Sequence, residues 1–227
     1  PNLLSTKMNM AEEDETVLSF NDSIIRKSDM QLLDGPYWLN DRLIDFCFEY
    51  FEKEQFNHSA DKLCLIGPDV TQFIKLAAAE EIAPFLEPLN LPEKQFIFLA
   101  VNDNQSCDKA GGTHWSLLVY IRNIQEFRHY DSQRGSNTEE ARNLAYKLQP
   151  YVHAPMGRMK FLEQDSPQQQ NGYDCGVFVI ATAEHLCKEL CEGYNISLMD
   201  MVNPSSVSKK RQQIKELIHH TAREYGS

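Results

Sequence analysis

Long apolar runs, paired cysteine motifs and an excess of positive charge are all missing from this 227-residue sequence. No apolar stretch approaches the roughly 18 residues that cross a bilayer as a helix. The opening PNLLSTKMNMAEEDE lacks the apolar core and small-residue cleavage site of a signal peptide. Met8 and Met10 both offer natural starts. The expectation is a soluble, intracellular protein of the cytoplasm and/or nucleus. The six cysteines, Cys47, Cys64, Cys107, Cys175, Cys187 and Cys191, are scattered and form no CxxC. A disulfide framework and a zinc cluster are therefore not expected, and a reduced compartment is. Cys187 and Cys191, four apart on an expected helix, read as buried free thiols rather than a metal pair. Lysine and arginine number 22 against 33 aspartates and glutamates, a net charge of −11. That balance argues against nucleic acid, whose binding rests on contacts from Lys and Arg to phosphate, and is compatible with a basic protein partner.

What is present is ordinary globular composition, 42% hydrophobic and 24% charged. Residues 1–16 are acidic and aperiodic and are expected to be a flexible lead-in. Val17–Phe20 reads as a strand, and Asp34-Gly35-Pro36 as a turn. Leu43, Ile44, Cys47, Phe48, Tyr50 and Phe51 then recur at helical spacing through residues 42–56, with Asn40 as N-cap and Asp41 near the positive end. Residues 69–86 predict one or two helices, Pro84 limiting the second. Three strand-like runs follow, 95–101, 113–121 and 126–132. The first is nearly continuous in apolar character, as expected of a central strand buried on both faces. A helix is expected over 138–149, a strand over 159–164, an apolar helix over 176–190 and a charged amphipathic helix over 209–225. The whole predicts one α+β domain over 17–227 with a central mixed sheet flanked by helices.

Cys175 carries the first chemical signal. It ends the polar, turn-forming stretch Gln169-Gln170-Asn171-Gly172-Tyr173-Asp174 and opens an apolar helix. The positive end of a helix favours thiolate, the reactive form. Gly176 beside it leaves room for a substrate backbone. A nucleophile needs a base, and the base an orienting group. His114 begins the strand run after Gly111-Gly112, and Asp131 lies on the next run. A tight hairpin turning at Arg122-Asn123 would set residue 114 opposite 131, and the longer loop 122–126 would shift that register. His129 shares the parity of Asp131 and stays open as a rival base. His219 and His220 read as solvated. The Cys175 backbone N–H and the Gln169 amide are both candidates to donate to an oxyanion.

The order His114-Trp115, Asp131, then Gln169-x-Asn171-x-x-Asp174-Cys175-Gly176 resembles the ubiquitin-like-protein-specific (sentrin/SUMO-specific) cysteine proteases. Within that family, WLND (38–41), FLEPLNLP (85–92), GGTHWSLLVY (111–120), HYDS (129–132) and QQNGYDCG (169–176) are most similar to the deneddylases. The resemblance implies the papain-like superfamily fold. It implies His114 as base, Asp131 as orienter, Cys175 as nucleophile and Gln169 as oxyanion donor. It also implies that Trp38 and Trp115 wall a channel for a Gly-Gly tail. Asp41 would pair with a basic residue near the modifier's C-terminus, and the loop 102–112 would move to cover it. The implied activity is cleavage after the C-terminal Gly-Gly of the neddylation modifier, in its precursor and in conjugates of cullins and other targets. The chain would act as a monomer, with no metal or cofactor. The alternatives are a desumoylase with the same machinery, a Cys-dependent acetyltransferase, and a non-catalytic modifier-binding module.

Overall fold

The apolar runs in the middle of the chain become adjacent strands of one sheet, and their parity decides what packs on each face. The computed structural model describes residues 14–106, 109, 111–152 and 160–225. In chain order the elements are β1 (Thr16–Phe20), β2 (Ser23–Arg26), α1 (Lys27–Leu32), α2 (Asp41–Tyr50), β3 (Leu63–Ile66), α3 (Pro68–Leu76) and α4 (Ala79–Leu86). They continue with β4 (Phe96–Asn102), β5 (Trp115–Ile121), β6 (Glu126–Tyr130), α5 (Thr138–Leu148), β7 (Lys160–Glu163), α6 (Cys175–Glu192), α7 (Leu198–Met201) and α8 (Pro204–Tyr225). β1 and β2 form a separate antiparallel hairpin. The main sheet runs β3-β4-β5-β6-β7, antiparallel at β4/β5 and β5/β6 and parallel at both outer pairs.

Successive strand residues point to opposite faces. Phe98, Ala100, Leu117, Val119 and Ile121 meet α2, α6 and α8 in one apolar layer. Ile97, Leu99, Val101, Leu118, Tyr120 and Phe127 meet α3, α4 and α5 in the other. This double burial is why β4 is apolar from Phe96 to Val101. The predicted mixed sheet with flanking helices is the observed one.

Several expectations change in detail. Residues 1–13, including Met8 and Met10, lie outside the described residues, but the lead-in does not reach residue 16. The Asp14 carboxylate accepts from the Ser28 amide and hydroxyl, and Thr16 already pairs with Arg26. The helix expected over 42–56 is α-helical only to Tyr50 and continues as a π-turn through Phe51–Gln55. Pro84 lies inside α4 rather than limiting it, in its second turn, where it withholds an N–H from Glu80 O, and the helix ends two residues later at Leu86. α8 starts five residues earlier than its charge pattern indicates, at Pro204 rather than 209. Met159, expected to open β7, lies outside the described residues.

Candidate active site

Asp131 and His114 meet, but not through the simple register. Ile121 pairs with Glu126, so the ladder is shifted by two residues and residue 114 would face 133. The cause is the turn: Arg122–Gln125 forms a four-residue loop, closed by Gln125 N–H to Arg122 O (3.1 Å) with Gln125 in the left-handed region (φ 54°). A shift of two preserves parity. His114 and Asp131 therefore stay on one face as diagonal neighbours, and His114 Nε2 lies 2.6 Å from Asp131 Oδ1.

Both groups are buried, at 4% and 3% exposure. Asp131 also accepts from the backbone N–H groups of Gln133 (2.9 Å) and Asn137 (3.1 Å). Burial opposes its charge, but the His114 hydrogen bond and these amides hold its pKa below the ordinary carboxylate value. Asn137, itself buried, donates its side-chain amide to Val101 O and His114 O, tying β4 to the histidine. Asp103 fixes the histidine from the other side, accepting from the amides of Thr113 (2.6 Å) and His114 (3.1 Å). Neither residue stands out in the sequence. Asp-Asn loop residues only show this role once the loop is closed.

Gly112 lets the chain enter that corner. Its φ is +85°, and a Cβ there would lie 1.8 Å from Asn102 Oδ1.

With Nε2 spent on Asp131, Nδ1 is the ring atom left for the Cys175 sulphur, with which the imidazole interacts. Burial depresses the His114 pKa, but Asp131 and Cys175 outweigh it and raise the group from 6.5 to about 9. At neutral pH the imidazole is therefore a cation beside the sulphur. Cys175 is the first residue of α6, where the amides of the first turn have no intrahelical acceptor. Burial pushes Cys47 and Cys64 up to about 12 and Cys187 well above its ordinary value. Among the described residues, no group of three or more His, Cys, Asp or Glu is arranged to hold a metal ion.

His129 is the rival that the sequence leaves open, and the fold removes it. It is fully buried, with Nδ1 on Glu163 (2.9 Å) and Nε2 on Ser116 Oγ (2.9 Å), so no ring nitrogen faces a substrate. His219 and His220 are exposed on α8, as expected.

Cys175 and His114 open onto a cleft of about 600 Å³. Trp38 and Trp115 line it, together with Asp41, Asp69 and residues of the 102–113 loop. Trp38 is 49% exposed, and its indole N–H donates to Gly172 O (2.5 Å). The Trp115 indole donates to Leu39 O (3.1 Å). Neither is simply a core residue. Asp41 is exposed at the first position of α2, behind Asn40, whose side chain caps that helix through Leu43 N–H (3.2 Å). Gln169 is tied to its own neighbourhood: its Nε2 donates to Asn171 O (2.6 Å) and its Oε1 accepts from Ser132 Oγ (2.8 Å). One amide hydrogen is left over. The gap expected for a substrate at Gly176 is taken by the protein itself: a Cβ there would lie 3.1 Å from Leu39 Cβ and 3.5 Å from Trp115 Cδ1, so its smallness admits the cleft wall.

The family model described as the Ulp1 protease family, C-terminal catalytic domain, matches residues 37–224. Sentrin-specific protease 8 of Homo sapiens is 47% identical over 206 residues, covering 90% of this chain and 97% of the relative. NEDD8-specific protease 1 of Arabidopsis thaliana is 36% identical over 220 residues, covering 96% and 93%. Among solved structures, the yeast Ulp1 protease domain in complex with Smt3, the yeast ortholog of SUMO, superposes with a TM-score of 0.73. That match has 21% identity and covers 94% of this chain and 90% of the other, a likeness of fold alone.

Proposed function

The chain is a cysteine peptidase of the Ulp1 protease family, and from that premise we propose that it cleaves after the C-terminal Gly-Gly of the neddylation modifier. The observation that carries the chemistry is the buried His114–Asp131 pair at 2.6 Å, set beside Cys175 at the start of α6. In this reading Asp131 keeps Nε2 protonated, so that Nδ1 serves the sulphur. Cys175 attacks the terminal glycine carbonyl. The negative oxygen that forms is met by the Cys175 backbone N–H and by the spare amide hydrogen of Gln169. His114 gives its proton to the leaving amine, Cys175 is left as a thioester, and water activated by His114 then releases the modifier.

A terminal Gly-Gly suits the cleft for a steric reason. Two indoles held by hydrogen bonds can clamp a backbone without side chains at little entropic cost. Asp41 and Asp69 at the same cleft suit a basic residue just before it. The neddylation modifier is favoured over SUMO because the relatives 47% and 36% identical bear the names sentrin-specific protease 8 and NEDD8-specific protease 1. Precursor processing and release from conjugates such as cullins use the same chemistry, and the enzyme would act as a monomer in cytoplasm or nucleus.

The test is hydrolysis of C-terminal amide reporters of the neddylation modifier, SUMO and ubiquitin in parallel. The first should be cut fastest, and Cys175→Ala should abolish the activity. Preference for the SUMO reporter would replace the substrate, and activity persisting in Cys175→Ala would remove the mechanism.

A further inference from the structure

Asp174 stands at the N-cap of α6 and does not cap it. Its backbone (φ −91°, ψ 2°) is not that of an ordinary cap, and its side chain makes no hydrogen bond to the helix amides. Aspartate is among the strongest N-capping residues because its carboxylate reaches the second or third amide. Here the carboxylate is turned the other way. Oδ1 accepts from Arg211 Nε (2.8 Å) and Nη2 (2.7 Å), and Oδ2 accepts from Asn171 Nδ2 (2.7 Å).

Arg211 lies within α8, distant in sequence, and is only 8% exposed. Nη1 donates to Leu32 O (2.9 Å), and Nη2 also reaches the backbone carbonyls of Tyr37 (2.9 Å) and Tyr173 (3.2 Å). With those carbonyls fixing it, the guanidinium cannot follow the carboxylate. The carboxylate must come to it. The α6 amides, which begin at Cys175, are thereby spared the negative charge that its neighbour would otherwise set among them.

We propose that Arg211 is a positioning residue for the nucleophile, holding the Asp174 carboxylate off the N-terminus of α6 so that this positive end is reserved for the Cys175 sulphur and the oxyanion. The proposal rests on the reading of Cys175 as nucleophile, since only then is an anion expected there. It predicts that the harm of losing Arg211 comes from the freed carboxylate and not from the lost contacts.

The experiment measures alkylation of Cys175 by iodoacetamide at pH 7.5, site-resolved by peptide mass spectrometry, alongside kcat and KM on a modifier reporter. Arg211→Met should slow alkylation and kcat about tenfold, the scale of one opposing charge at a helix terminus, with KM less affected. Deleting the carboxylate as well, in Arg211→Met/Asp174→Ala, should bring alkylation back to within about threefold of the starting protein. A double variant as slow as Arg211→Met or slower would overturn the proposal, because a merely structural arginine is not rescued by a second truncation. If circular dichroism shows Arg211→Met unfolded, Asp174→Ala alone decides. Reactivity close to the starting protein is expected, and a tenfold fall would overturn the proposal by making the carboxylate itself necessary. Alkylation needs no modifier, so a protein that cuts none of the reporters would sink the functional reading while this measurement still reports on Arg211.

Discussion

Replacing Asp131 with asparagine removes a charge while keeping the shape of the group that faces His114, and the structure fixes what should follow. His114 is lifted from 6.5 to about 9, against burial, by Asp131 and Cys175 together. With the carboxylate gone, burial is opposed by Cys175 alone and the pKa falls toward 6.5. At pH 7.5 a group of pKa 9 is roughly 97% protonated and one of pKa 6.5 roughly 9%, so the imidazolium population drops about tenfold. Loss of the tautomer set by Asp131 adds to this, and displaced general acid–base catalysis costs about a hundredfold or more. The assay is the pH dependence of kcat on a modifier C-terminal amide reporter. The unaltered enzyme should hold its activity on the alkaline side to near pH 9. Asp131→Asn should turn over at least about a hundredfold more slowly, with its alkaline fall displaced to lower pH and KM little changed. The stability sign is also defined. A raised histidine pKa stabilises the fold fully below 6.5 and loses that contribution as pH rises toward 9, so the Tm gap between the two proteins should narrow across that window. An alkaline limb at the same pH in both proteins would show that Asp131 does not raise the His114 pKa, and equal losses in turnover and binding would remove its orienting role.

Other consequences can be checked with single substitutions. Burial, then Asp69, Glu49, Asp41 and Asp22, raise Asp45 from 3.8 to about 6. The folded chain therefore holds a proton that the unfolded chain has released, and stability falls as pH rises from 3.8 through 6. At roughly 1.4 kcal/mol per unit the penalty at pH 7.5 is about 3 kcal/mol, so Asp45→Asn should raise Tm at pH 7.5 and little at pH 4, as followed by thermal circular dichroism. Gly112→Ala places a Cβ against Asn102 at φ +85°, and should cost about 1–3 kcal/mol in denaturant melts and lower kcat by shifting His114. His129→Gln should lower Tm by breaking the Ser116–His129–Glu163 chain yet leave kcat within about threefold, since His129 faces no substrate; a loss like that of His114→Ala would restore His129 as a base.

Much of the site was readable because its groups sit at places where sequence pattern is strong. Cys175 lies at a sharp change from polar turn to apolar helix, and Asn40 before a helical period. The parity of His114 and Asp131 survives any even shift of register, so their meeting was legible although the pairing was not. The shift itself depends on Gln125 adopting a left-handed conformation, which glutamine does not advertise. Tertiary context decided the remainder. His129 looks equivalent to His114 until Glu163 arrives from β7 to occupy it. Gly176 looks like a substrate gap until Leu39 and Trp115 pack on it. Arg211 reads as one of several charges on an amphipathic helix, and its burial follows from Leu32, Tyr37 and Asp174, none of them near it in sequence.

Covalent trapping asks whether Cys175 is the nucleophile of a protease for a ubiquitin-like modifier. The neddylation modifier carrying a thiol-reactive electrophile in place of its terminal glycine carboxylate would be incubated with the protein and the adduct mapped by mass spectrometry. One modifier per chain is expected, attached to Cys175, formed faster than with the SUMO or ubiquitin equivalents and absent in Cys175→Ala. An adduct on another cysteine, or none with any of the three modifiers, would contradict it.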